Sequence, residues 1–266
     1  MAVPDLAQDI RVLREPTVYL VGRQVVDSAE IDRFLTDHGV AWQTDTEVAG
    51  EHLSEVAGRL CYMSFARPRP GGNKAYLNHI LEVGHGSVLE HAVWNFVFTG
   101  VSRTLTHELV RHRAGWAFSQ LSQRYVDESI AEYVEPDCIA DNPELHGIWL
   151  EAVAQSHQAY VKLTEKLQEV FKDEPDRTLR RKLARQAARS VLPNATETKI
   201  FVSANARALR HFIELRASRH AEVEIRKLAV KVLQIMQSEA PGLFGDYQII
   251  TLPDGTSEAV TSHRKV

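Results

Sequence analysis

Arg111, His112 and Arg113 set up to three positive charges side by side, and Arg124 adds another eleven residues after Arg113. Unopposed, such a cluster repels itself. Glu108, one helical turn before Arg111 and His112, can pair with one of them but cannot neutralise the group. A lone triplet of this kind is ordinarily a solvated surface. Here Leu109, Val110, Trp116, Phe118, Leu121 and Tyr125 interleave apolar and aromatic groups with the cations, which suits a ligand that is flat as well as anionic. Guanidinium forks bind phosphate in bidentate fashion and aromatic faces accept a ring. A nucleotide or a flavin nucleotide meets both demands.

Other chemistries fit worse. Gly84-His85-Gly86 lacks the third glycine of a dinucleotide loop, and no glycine-rich loop ends in Lys-Ser or Lys-Thr. His107 and His112 stand five positions apart, where a metalloprotease helix needs four to put both on one face, so no metal is expected. Ser122 lies in Gln-Leu-Ser-Gln, not in a nucleophile elbow. Cys61 and Cys138 are too few for a disulfide framework and lack zinc spacing.

Three further blocks stand in the chain: Gly84-His85-Gly86-Ser87 with Glu90 and His91, Arg189 to Pro193, and Asn205-Ala206-Arg207 with His211, Arg216 and His220. Together with Arg111-His112-Arg113 and Ser122, Arg124 and Tyr125, in this order from about Arg59 to Leu243, they resemble the flavin-dependent thymidylate synthase family. The resemblance implies methylation of a uridine monophosphate at C5, with FAD as cofactor and with NADPH and methylenetetrahydrofolate as co-substrates. It implies that Ser87, Arg111, His112, Arg113, Asn205, Arg207 and His211 bind FAD, with His85 added toward flavin or folate. It assigns Glu108, Arg111, Gln120, Ser122, Arg124, Arg189 and Arg216 to the nucleotide, in a pocket shared within a homotetramer. His85, His91 and His220 read equally as hydrogen-bonded structural histidines, and Asn205 also reads as a helix N-cap.

Methylating C5 without a cysteine attacking C6 fits the placement of Cys61 and Cys138 outside all four blocks. Reduced flavin then supplies the reducing equivalents, and the protein must orient rings and stabilise negative charge on the pyrimidine. Arg216 is the catalytic candidate for that charge. Ser122 is the other catalytic candidate, but no neighbour reads as its base, so a hydrogen bond to phosphate is expected of it. The chain departs from the family in one place. Ala114 to Leu121 makes a spacer of eight residues where the family has seven, so the extra residue sits in Ala114-Gly115-Trp116-Ala117. This puts the choice between UMP and dUMP in play, with a lean to a pocket that takes UMP and tolerates dUMP. On this point the chain resembles the branch that methylates UMP in nucleoside-antibiotic biosynthesis. The alternatives are a strict dUMP thymidylate synthase and a non-catalytic flavin- or nucleotide-binding protein.

The elements that must position these residues are legible in outline. Thr17 to Val26 and Ala92 to Thr99 read as strands, and Thr196 to Ser203 alternates as a strand should. Helical spacing runs through 28–38, 51–62, 73–83, 103–111, 144–172, 179–191, 205–216 and 222–237, with Asp176 as a cap and Pro175 and Pro193 as breaks. The fold class expected is α+β, a central antiparallel sheet with surrounding helices. Residues 1–50 read as an extension with a strand and a helix, 51–247 as the catalytic domain and 248–266 as a tail.

With 31 basic and 35 acidic residues the formal charge is −4, which gives no footprint for nucleic acid or a membrane surface. The start, Met1 to Glu15, carries Asp5 and Asp9 and no signal-peptide core. No window approaches the roughly 20 apolar residues of a membrane span. A soluble, cytoplasmic protein is expected.

Overall fold

The computed structural model describes residues 10–67 and 69–266; Asp5 and Asp9 of the acidic start lie outside the described residues. In chain order the elements are β1 (Arg11–Leu13), β2 (Thr17–Arg23), α1 (Ser28–Asp37), α2 (Ala49–Leu60), α3 (Gly72–Glu82), β3 (Val93–Ser102), α4 (Arg103–Leu109), β4 (Trp116–Gln120), β5 (Glu132–Val134), α5 (Asp137–Ala140), α6 (Pro143–Val170), α7 (Arg177–Ala188), β6 (Glu197–Asn205), α8 (Ala206–Arg216), α9 (Val223–Glu239), α10 (Pro241–Phe244), β7 (Gln248–Thr251) and β8 (Ser257–Val260). Short 3-10 turns cover Gly86–His91, Glu128–Ile130 and Arg189–Val191. Helices and antiparallel sheet are mixed, the α+β class read from the sequence. The largest sheet has four strands in the order β2-β3-β6-β4.

The chain groups into two compact units. The first takes residues up to Thr17, Phe98–Leu109 and Ser119–Ile200; the second takes Val18–Val97, Val110–Phe118 and Phe201–Val266. In the first, the apolar side of α4 (Leu105, Leu109) and the small residues Ala184 and Ala188 of α7 are buried, as is Tyr160 of the long helix α6. Side-chain caps set the helix starts: Asn142 accepts from the amides of Glu144 and Leu145, and Asp176 from that of Thr178 at 2.7 Å. Here β1 pairs in parallel with β5, Val12 opposite Tyr133.

In the second unit, α8 and α9 bury Leu209, Phe212, Ile213, Leu228 and Leu233, spaced as one face of a helix must be. Trp94 and Phe96 alternate into the core from β3. The tail is an antiparallel hairpin, β7 with β8, closed through Gly255 at φ +78°. Two differences from the sequence reading bear on the site. The helix expected over 103–111 ends at Leu109, so Arg111 to Arg113 lie in the turn beyond it. Trp116 to Gln120, read as a spacer, is strand β4, with Trp116, Phe118 and Gln120 half-buried and Ala117 and Ser119 exposed.

Candidate functional site

The second unit holds every residue expected from the sequence to bind FAD. The centre of that set is His112, which is 8% exposed. Its Nε2 accepts a hydrogen bond from Arg216 Nε at 3.0 Å, which puts the ring proton on Nδ1. Phe212 meets the imidazole edge-on at 5.4 Å between centroids, and His211 lies at 5.9 Å. Burial, with the positive Arg216 and His211 alongside, pushes the His112 pKa down to about 4. A neutral acceptor is therefore kept against a charged guanidinium at ordinary pH.

Around His112 the chain is arranged by glycine and by a cap. Gly115 sits at φ +74°, the left-handed region that costs an L side chain about 1–2 kcal/mol. Its carbonyl accepts from Asn205 N at 3.1 Å. Asn205 in turn caps α8, its Oδ1 accepting from Ala208 N at 2.8 Å, so the N-cap reading of Asn205 holds. A Cβ on Gly115 would stand 2.6 Å from Asn205 Nδ2 and 2.8 Å from Ala208 Cβ. Next in the chain, Trp116 stacks on Phe118 at 5.6 Å and 6° and meets Phe212 edge-on. The first half of the spacer thus packs on Asn205 and Phe212.

Arg111 and Arg113 are exposed, and neither guanidinium has an ion-pair partner among the described residues. Arg207 pairs with Glu90 at 2.6 Å. Gly86 is buried so closely beneath Arg207 that a Cβ there would come within 2.8 Å of Arg207 Nε. His85 and Ser87 flank Gly86 on the exposed turn after α3, and His211 is exposed on α8. Two unpaired guanidinium groups, a serine hydroxyl on a glycine turn and an aromatic face suit a phosphate-bearing ring cofactor; FAD fits this donor set.

Of the residues expected to contact the nucleotide, Glu108, Gln120, Ser122, Arg124 and Arg189 lie in the first unit, and Arg111 and Arg216 in the second. Gln120 donates Nε2 to Thr106 Oγ1 (3.1 Å) and Thr198 Oγ1 (3.3 Å), which turns its Oε1 away as an acceptor for a ligand. Ser122 Oγ accepts from Arg124 N at 3.4 Å, and no base is bonded to it among the described residues. Its hydroxyl proton remains available to donate, and nothing activates it as a nucleophile. Glu108 is half-buried at the end of α4. Arg189, half-buried after α7, lies near Arg103, whose pKa is lowered first by burial.

Sequence reasoning missed several residues here. Arg103 Nη1, Gln123 Nε2 and Arg124 Nε are buried donors without a partner. Glu128, 5% exposed, has an unpartnered Oε1, and burial pushes its carboxyl up to about 7, with Arg103 opposing and Glu197 reinforcing. Lys182 stands over the exposed Tyr125 ring at 5.0 Å, and Arg185 holds the Tyr125 carbonyl and Asp127, each at 2.7 Å. The run Arg180-Arg181-Lys182 was visible as charge; the burial of Arg103, Gln123 and Glu128 has no signature in sequence. Three unpaired buried donors are costly, at about 1–3 kcal/mol each, unless something accepts from them. An anion with several oxygens would satisfy donors of this kind.

Residues 45–242 match the family described as thymidylate synthase complementing protein. A flavin-dependent thymidylate synthase of Mycobacteroides abscessus is 51% identical over 230 residues, covering 86% of this chain and 91% of that protein. Those of Mycobacterium marinum and Mycobacterium tuberculosis are 52% and 50% identical, with the same shares covered. Among solved structures, a UMP/dUMP methylase PolB from Streptomyces cacaoi bound with 5-Br UMP has a similar fold, with a TM-score of 0.62 at 21% identity over 89% of this chain and 95% of that one.

Proposed function

The chain belongs to the flavin-dependent thymidylate synthase family, and from that premise we propose that it methylates C5 of dUMP, with UMP as the competing substrate. FAD is the cofactor, and methylenetetrahydrofolate and NADPH are the co-substrates. The observation that carries the uridylate reading is the set of unpaired buried donors in the first unit, Arg103 Nη1, Gln123 Nε2 and Arg124 Nε, the last two following Ser122 in the chain. Relatives half identical to this chain are thymidylate synthases, which favours the deoxynucleotide.

When bound, FAD supplies the reducing equivalents that turn a transferred one-carbon unit into a methyl group. The chain's own work is positioning and charge. Arg124, Arg189 and the Ser122 hydroxyl hold the phosphate, and Gln120 offers Oε1 to a ring or sugar donor. Arg216, held by a neutral His112, stabilises negative charge that develops on the pyrimidine. Arg111, Arg113, Ser87, His85, Asn205, Arg207 and His211 bind the cofactor. Glu108, at the end of α4, is assigned to the nucleotide.

We further propose self-association as a homotetramer, to which the exposed Val25, Ile130 and Ile148 lend support. Light scattering on the purified protein checks it. No described helix is long and apolar enough to cross a membrane, and two exposed thiols, Cys61 and Cys138, suit a reducing cytoplasm. The decisive assay offers dUMP and UMP separately with FAD, NADPH and methylenetetrahydrofolate. If neither is methylated by protein that holds flavin, the enzymatic reading fails.

A further inference from the structure

Beyond residues 45–242 matched to the family, the chain runs on into β7, β8 and a strap over 261–266. Arg210, Glu214 and Ala217 of α8 are spaced so that they share one stripe of the helix. Each is gripped by the tail. The Ala217 carbonyl accepts from Ala259 N at 2.8 Å. Glu214 accepts from Arg264 Nε at 3.1 Å and from Lys265 N at 2.9 Å. Arg210, 1% exposed, donates to Asp246 at 2.6 and 2.8 Å and to the His263 carbonyl at 3.1 Å, and the Thr261 hydroxyl donates to the same Asp246.

The strap therefore reaches from the last turn of α8 to its first. There, a Cβ on Gly86 would meet Arg207 Nε at 2.8 Å and the Val266 main-chain carbon at 3.0 Å. Lys265 holds φ +62°, a conformation rare for an L side chain, which persists only where the surroundings over-determine it. Its amide bond to Glu214 is such a constraint.

We propose that residues 258–266 are part of the flavin site: the strap fixes α8 against the Gly84-His85-Gly86-Ser87 turn and so places Arg207, His211 and Arg216. The inference rests on the flavin reading and deepens it. α8 is eleven residues long, too short to be rigid by itself. Arg207 stands one turn before Arg210 on the same side of the helix, whereas His211 and Arg216 lie off the stripe that the tail holds, so the strap acts on those two through the helix. Gly86 of the turn stands against the strap at Val266.

The test compares the full chain with a chain truncated after Val260 and with Glu214→Gln. FAD affinity is read by flavin fluorescence, together with the visible spectrum of bound flavin, the melting temperature of the apo-protein, and the KM for dUMP at saturating FAD. Truncation should weaken FAD binding roughly tenfold or more, and Glu214→Gln roughly two- to fivefold, the loss expected of one partly exposed clasp. The flavin spectrum should shift, while the Glu214→Gln melting temperature and KM for dUMP stay at wild-type values. Wild-type FAD affinity and spectrum in either folded variant overturn the strap. Should the truncated chain fail to fold, Glu214→Gln decides alone. A full chain that binds no FAD overturns the flavin reading and the strap with it.

Discussion

Replacing His112 tests the centre of the site most directly. His112→Phe keeps the edge-on packing against Phe212 but removes the nitrogen that accepts from Arg216 Nε at 3.0 Å. A hydrogen bond to a charged group contributes about 1.5–3 kcal/mol. Expressed wholly in the transition state, this is a loss of roughly 10- to 150-fold in kcat/KM. His112→Gln, which restores an acceptor, should recover much of it. The assay is steady-state turnover of dUMP at saturating FAD, with flavin content measured beside it. Turnover within about twofold of wild type in His112→Phe, with flavin bound, would refute the argument that His112 orients Arg216. A second readout follows from the depressed pKa. Because the folded imidazole titrates near 4 instead of 6.5, the unfolded chain takes up a proton that the folded chain refuses. Stability is therefore lost as pH falls from about 6.5 towards 4, by up to about 3 kcal/mol at 1.36 kcal/mol per pH unit. The wild-type melting temperature should fall more steeply across that window than that of His112→Phe.

Gly115→Ala should destabilise the protein by about 2–3 kcal/mol, from a left-handed backbone and disruption of the Asn205 cap, with weakened FAD binding; thermal melting and flavin titration check both. Glu128 has the opposite sign to His112: its folded carboxyl titrates near 7, above the ordinary 4.5, so it lowers stability progressively as pH rises from 4.5 to 7. Glu128→Gln should accordingly gain melting temperature over wild type above pH 7 and lose that gain below pH 4.5. Arg124→Ala should raise the KM for dUMP roughly 10- to 100-fold while leaving FAD content unchanged, as expected of a phosphate contact worth about 1.5–3 kcal/mol; equal loss of flavin would move Arg124 to the cofactor.

Local signals carried much of the fold. The helix α7 was legible because Asp176 opens it as a cap, and the long helix α6 because its helical spacing runs on for 28 residues; its cap, Asn142, emerges only in the structure. Asn205, like Asp176, was legible as a cap. β4 was not, although Trp116, Phe118 and Gln120 alternate with Ala117 and Ser119. Only five residues long and preceded by a glycine turn, it offers too little periodicity to outweigh the motif around it. The tail was illegible because its order comes from distant partners, Asp246 with Arg210, Glu258 with Arg219 and Arg264 with Glu214. The cationic residues of the site were visible by type. Which of them are buried without a partner, Arg103 and Arg124 above all, depends on packing that no spacing encodes.

The longer spacer bears on substrate choice differently once its contacts are known. Sequence reasoning placed the extra residue in Ala114 to Ala117 and tied it to the nucleotide's sugar. Within that span Gly115 makes a left-handed turn before β4, its carbonyl accepts from Asn205 and its neighbour Trp116 packs on Phe212. From Trp116 to Gln120 the strand alternates half-buried and exposed positions. An added residue at this turn would act first on the wall beside His112, where Trp116 lies 6.3 Å from the imidazole between centroids. It should therefore change flavin affinity and orientation before it changes discrimination at the 2′ position. Deleting Ala114 is the corresponding experiment: a shift in FAD affinity with an unchanged ratio of kcat/KM for dUMP over UMP is expected, and a changed ratio with unchanged flavin binding would return the spacer to the sugar.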